Sequence, residues 1–152
     1  MMTVFQKLNL KDQIEIFVLN APESFERELA ALQGVKIVRS LDGAGEVAFS
    51  LAFVITQKDV DTLGKAVAKK AKGDAVVWFA YPKGSSKKYT SEINRDHGWD
   101  LFGKAGFEPV RSIAIDEDWT GLRFRRTEFI KSMTRDPKSR MSAEGKSRAG
   151  KK

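Results

Sequence analysis

The chain contains no cysteine among its 152 residues, which removes disulfides, thiolate zinc sites, iron–sulfur clusters and a cysteine nucleophile, and gives no link to an oxidising compartment. It has a single histidine. His97 sits in Asn94-Arg95-Asp96-His97-Gly98-Trp99, without the second histidine or activated nucleophile that would make it a metal ligand or a catalytic base. No apolar run approaches the roughly 18 residues of a membrane span or signal core. The expected location is therefore the cytoplasm. There is no internal repeat, and the spacing G-x-x-x-x-G-K-[ST] of a phosphate-binding loop is absent.

What is present fits one domain. A chain of this length buries roughly 70% of the surface it exposes when unfolded, and 41% of its residues are hydrophobic. The net charge of +7 suggests a polyanion partner until its position is considered. Residues 131–152 hold eight basic residues against Asp136 and Glu144, so +6 of the +7 lies there. The expected organisation is an α/β domain over residues 1–130 and a basic, unstructured tail over 131–152, because the tail has too few bulky apolar side chains to bury.

Strand and helix signals alternate along the body. Ile14 to Leu19 is apolar and β-branched and stops at Asn20-Ala21-Pro22, a turn with a proline suited to the first turn of a helix. Phe25, Leu29 and Leu32 then recur at helical spacing up to Gly34. Val35 to Val38 and Val47 to Val54 read as strands around the turn Asp42-Gly43-Ala44-Gly45. Thr56 and Asp59 have capping-box spacing before a helix carrying Val60, Leu63 and Val67, closed by Gly73. Ala75 to Tyr81 is the most apolar run and reads as a central parallel strand. A polar loop from Pro82 to Tyr89 precedes a helix expected from about Ser91 to Ala105, with Gly98 a weak point inside it. Val110 to Ile115 and Leu122 to Arg126 form a closing antiparallel hairpin around Asp116 to Gly121. The pattern predicts a Rossmann-like, doubly wound sheet of the methyltransferase class, mostly parallel with an antiparallel terminal strand and one strand–helix unit missing.

Four segments, Leu19-Asn20-Ala21-Pro22, Leu51-Ala52-Phe53-Val54, Trp78-Phe79-Ala80-Tyr81-Pro82-Lys83 and Ile115 to Phe124, carry a further signal. Over roughly residues 5–130 the chain resembles a family of small bacterial proteins grouped under a domain-of-unknown-function label. The resemblance implies a methyltransferase-like fold and brings no activity, cofactor or catalytic residues with it.

Several constellations can bear chemistry. In methyltransferases and dinucleotide enzymes the turn after the first strand carries glycines that let the backbone approach the ligand. Here that turn has none, Pro22 removes a donor, and two glutamates occupy the helix start. The turn predicts no cofactor and no saturable S-adenosylmethionine binding at about 100 μM. Asp42 follows the second strand, where the ribose partner of a nucleotide often lies, although a plain turn is the better account of it. Lys83, Ser85, Ser86 and Lys88 lie beyond the carboxyl end of the central strand, where open α/β sheets bind ligands. Asp116, Asp118 and Trp119 occupy the hairpin return; their loop is too short to cage a hard metal, and Trp119 is read as covering the sheet edge. Asn20 and Thr56 should emerge at that same edge. Lys83, Ser85 and Lys88 are therefore expected to face Asp116, Asp118 and Trp119 across a shallow cleft, with the carboxylates holding the lysines. Arg123 and Arg125 share one strand face opposite Leu122 and Phe124 and lack the interleaved aromatics of a base-stacking surface. The sequence alone therefore favours a non-catalytic or cryptic module on a methyltransferase-like fold, for a small anionic ligand or a protein partner. The alternatives are an atypical S-adenosylmethionine- or nucleotide-using enzyme and a weak nucleic-acid binder acting through the tail.

Overall fold

The structure, a computed structural model, describes residues 3–130; the basic tail expected from residue 131 lies outside them. The apolar runs become six strands, β1 (Glu15–Leu19), β2 (Lys36–Val38), β3 (Val47–Phe53), β4 (Ala71–Pro82), β5 (Phe107–Ala114) and β6 (Trp119–Arg126). They form one sheet in the order β2-β1-β3-β4-β6-β5. The first four are parallel to one another, and β6 runs antiparallel to both β4 and β5. β6, the last strand among the described residues, is thus inserted beside the most apolar one, where Val77 pairs with Phe124 and Phe79 with Leu122.

Alternation along the strands builds two cores. On one face Phe17, Val77, Phe79, Leu122 and Phe124 pack under α3 (Gln57–Lys70) and α4 (Asp100–Lys104). On the other, Ile16, Val18, Phe49, Leu51 and Trp78 pack under α1 (Val4–Lys7) and α2 (Glu23–Ala30). Trp78, fully buried, ties the N-terminal segment to the sheet through its indole N–H, donated to the Leu8 carbonyl at 2.7 Å. A buried indole without such an acceptor would lose about 1–3 kcal/mol.

The capping box reads as the sequence implies: the Thr56 hydroxyl accepts from Asp59 N at 3.1 Å, and the Asp59 carboxylate accepts from Thr56 N at 3.1 Å. Three boundaries differ. The N-terminal helix α1, capped by Thr3 and Gln6, is an element the apolar pattern gave no reason to expect. Helix α3 ends at Lys70 and β4 begins at Ala71, ahead of the expected stop at Gly73, because Arg126 reaches across to the carbonyls of Ala68 and Ala71 at 3.1 and 2.8 Å. The helix expected from Ser91 to Ala105 contracts to Asp100–Lys104. In its place Ser91 bonds the backbone of Ile93, Asn94 accepts from Asp96 N, and Asn94 pairs with His97. Short polar side chains here satisfy the backbone locally, in competition with the helical ladder. Gly98, at φ +107°, turns the chain out of that bend.

Candidate functional site

In a parallel sheet the loops that follow the strands leave at one edge, and here β1, β2, β3, β4 and β5 all send their C-terminal connections there. That edge carries the two places of chemical interest.

The first is where β1 and β2 end side by side, with Phe17 opposite Val38. Asn20 leaves β1 in the left-handed region at φ +58°, a conformation usually left to glycine but tolerated by asparagine. It is exposed, with its amide N–H directed to the Phe53 carbonyl at 3.5 Å. Pro22 then caps α2 without any side-chain hydrogen bond to the first turn. The N-terminus of α2 is therefore open, in contrast to that of α3, which Thr56, Asp59 and the Glu92 carboxylate close; Glu92 accepts from Gln57 N at 2.9 Å. Of the two acids in the first turn of α2, Glu26 is engaged by Arg39 through two bonds of 2.8 and 2.9 Å. That hydrogen bonding holds its carboxyl below the usual range. Asp42 stands exposed in the turn that follows β2, with Gly43 at φ +78° beside it.

The second place is where the segment after β4 meets the β5–β6 return. Lys83 N donates to the Asp118 carbonyl at 2.8 Å, and the Ser86 hydroxyl donates to the Asp118 carboxylate at 2.8 Å. Ser86 Oγ also accepts from the backbone N–H of Lys88 and Tyr89. An open cleft of about 600 Å³ results, lined by Ser85, Lys87, Lys88, Glu117 and Asp118.

The expected convergence of these two loops is thus present, but several members have other duties. Lys83 contributes its backbone. Asp116 accepts from Asp118 N and Trp119 N at 2.8 and 2.9 Å and shapes the return. Trp119 is 2% exposed, packed edge-on against Phe53 and tilted against Tyr89; it is core, not a stacking platform. Among the described residues no ion pair joins Lys83, Lys87 or Lys88 to Asp116 or Asp118, so the expectation that carboxylates hold the lysines is corrected: a serine holds Asp118. Lys88 instead lies 5.7 Å from the Tyr89 ring centre. Asn20 and Thr56 share the edge without lining the cleft, Thr56 being spent on its cap. Arg123 lies on a sheet face, in register with Trp78. Lys87 and Glu117 also line the cleft; the sequence shows them as charges of these two loops, but nothing in it distinguishes them as ligand-facing.

No protein-family model matches the chain, and no curated protein matches it. Solved structures do. The mitomycin 7-O-methyltransferase MmcR superimposes with a TM-score of 0.53 at 13% identity, covering 81% of this chain and 52% of its own. A ribosomal protein L11 methylase from Lactobacillus delbrueckii subsp. bulgaricus gives 0.51 at 10% identity, over 81% and 76%. LepI, solved in complex with SAM, gives 0.50 at 9% identity, over 80% and 38%. The chain thus spans about half of MmcR and little more than a third of LepI.

The expectation of no cofactor needs correcting in their light. LepI, of the same fold, is solved with SAM and also with SAH. The missing glycine on which that expectation rested is replaced, in conformation, by left-handed Asn20. The six-stranded sheet with its inserted antiparallel strand is the methyltransferase-like form of the Rossmann fold.

Proposed function

We propose that this protein is an atypical S-adenosylmethionine-using enzyme, and that it holds the cofactor where β1 and β2 end. The observation that carries the proposal is the left-handed exit at Asn20 into the uncapped start of α2. A helix start with unsatisfied N–H groups favours anionic or strongly accepting ligand atoms. The exposed carboxylate of Asp42 suits the hydroxyl groups of a ribose. The residues fit the cofactor in these respects, with Asn20 shaping the approach, the α2 backbone donating and Asp42 accepting. Bound there, S-adenosylmethionine supplies an electrophilic methyl group; the chain's part is to hold and orient it. The proposal replaces the non-catalytic reading, for which no observation speaks.

Isothermal titration calorimetry with S-adenosylmethionine and S-adenosylhomocysteine tests it. The expected result is saturable one-site binding between about 1 μM and 1 mM, the ordinary range for enzyme ligands. Asn20→Gly should retain binding, because glycine keeps the left-handed turn, whereas Asp42→Asn should weaken it. Absence of heat up to millimolar ligand would refute the proposal.

A second reading concerns the Ser85–Asp118 cleft. Its two unpaired lysines suit a small anionic ligand, and Asp118, fixed by Ser86, limits how far negative charge can approach. Lys87→Ala with Lys88→Ala should keep the melting temperature and abolish any binding of such a ligand found by thermal-shift screening.

A further inference from the structure

The face of β5 and β6 that lies beyond the α1–α2 layer carries an arrangement the proposed cofactor site does not use. Arg123 of β6 stands directly opposite Arg111 of β5 and, on its other side, in register with Trp78. Arg125 is two residues along β6 and so on the same face. Like charges placed opposite each other on adjacent strands are destabilising, so the pairing needs a reason.

The register itself is contrived. Pro109 pairs with Phe124, yet Arg111 and not Val110 pairs with Arg123. This is a bulge that inserts Val110 as an extra residue. Without it, strict alternation would set Val110 against Arg123 and send Arg111 to the Leu122 side, into the core under α3 and α4. The bulge thus turns Arg111 out to stand beside Arg123.

Counter-ions are short there. Asp74 is taken by Arg125 through two bonds of 2.8 and 2.6 Å. Glu108 is in register with Arg125, is buried, and has one carboxylate oxygen without a partner. Among the described residues neither Arg111 nor Arg123 has an ion pair, and the buried Nε of Arg123 has no acceptor. Burial first, and then the neighbouring Arg125, with Arg111 adding to it against Asp74, lower the Arg123 pKa from its ordinary value. A guanidinium that lacks an acceptor, next to a second one, is an oxyanion receptor of the forked kind.

We propose that Arg111 and Arg123 form a phosphate-binding site for the backbone of a nucleic acid. Charge continuity favours this polyanion: β6 leads, after Thr127–Phe129, directly into residues 131–152 with their net charge of +6. Trp78, the aromatic neighbour of Arg123, is fully buried, so among the described residues no exposed ring stands beside the arginines; that suits backbone contact, which positions without reading bases.

Fluorescence anisotropy of the full chain with a labelled mixed-sequence DNA duplex of about 20 base pairs, over a series of salt concentrations, tests this. Neutralising two phosphate contacts should flatten the slope of log affinity against log salt by about 1.8, at about 0.9 per phosphate. Arg111→Gln with Arg123→Gln is expected to do so, and Arg123→Lys to restore about half. Lys65→Gln with Lys69→Gln on α3 removes the same charge from the opposite side and should leave the slope unchanged. Arg111 is exposed, so Arg111→Gln alone, with a loss of about 0.9, decides the matter if the double variant unfolds. An equal effect in the α3 variant, an unchanged slope in the arginine variants, or no DNA binding by the full chain at low salt would overturn the proposal. An unchanged slope would assign binding to residues 131–152 alone.

Discussion

Gly98 and Tyr81 show how single residues set the structure around the site. Gly98 sits at φ +107°, and a Cβ there would run into Cγ2 of buried Ile93. Gly98→Ala should therefore cost about 1–3 kcal/mol in backbone strain alone, with displacement of Ile93 adding to it, and lower the denaturant midpoint accordingly. The same glycine shows what sequence reasoning can read. As a weak point within a helix it was legible; that the segment before it folds as a turn was not, because the local bonds of Ser91 and Asn94 leave no periodic trace. Asn20 is the opposite case. Glycine is the usual sign of a left-handed turn, and an asparagine in that role is visible only once φ is known.

Tyr81 is buried on the α4 face, where burial raises its hydroxyl pKa above the ordinary value of 10.0. Its contribution to stability is fully present below the unfolded value, where both states are protonated. It is lost as pH rises through the folded value, since the unfolded state releases its proton first. Wild-type stability should decline with pH above about 10, and Tyr81→Phe should flatten that decline. A slope that persists unchanged in Tyr81→Phe would show that other groups govern it.

At the scale of elements, Arg126 links the last strand to the end of α3. Its guanidinium donates to the Ala68 and Ala71 carbonyls and lies 4.6 Å from the Phe107 ring centre. Arginine near a helix C-terminus satisfies orphan carbonyls and favours the negative end of the dipole. Arg126→Ala should lower unfolding free energy by about 1–3 kcal/mol, as expected for losing charged hydrogen bonds in a part-buried place. Arg126→Lys, with one point of donation in place of a fork, should recover only part. A change within a few tenths of a kcal/mol in urea melts would contradict this role. None of it was legible beforehand, since the contact spans strands and helices distant in sequence. Local signals fared better: the Thr56–Asp59 box gave the start of α3 correctly. Thr3 and Gln6 form the same box for α1, but Val4–Lys7 is too short for apolar periodicity to mark a helix there.

Across the whole molecule, the alternation of apolar runs was enough to derive the sheet, its mostly parallel sense and the antiparallel final strand. The insertion of β6 between β4 and β5 is a long-range choice made by packing, in which Phe124 and Leu122 complete the core beside Val77 and Phe79. Topology then brings the strand ends to one edge, which made the meeting of the Lys83 and Asp116 loops derivable. The side-chain partners within that meeting depended on short-range competition, with Ser86 taking Asp118 in place of a lysine. The central claim is one of location: cofactor at the ends of β1 and β2, apart from the Ser85–Asp118 cleft. Amide chemical-shift mapping of the isotope-labelled protein during titration with S-adenosylhomocysteine tests it most directly. The account predicts saturable shifts at Asn20, Ala21, Glu23 and the turn at Asp42 and Gly43. Shifts centred on Ser85 to Lys88, or none at millimolar ligand, would contradict it.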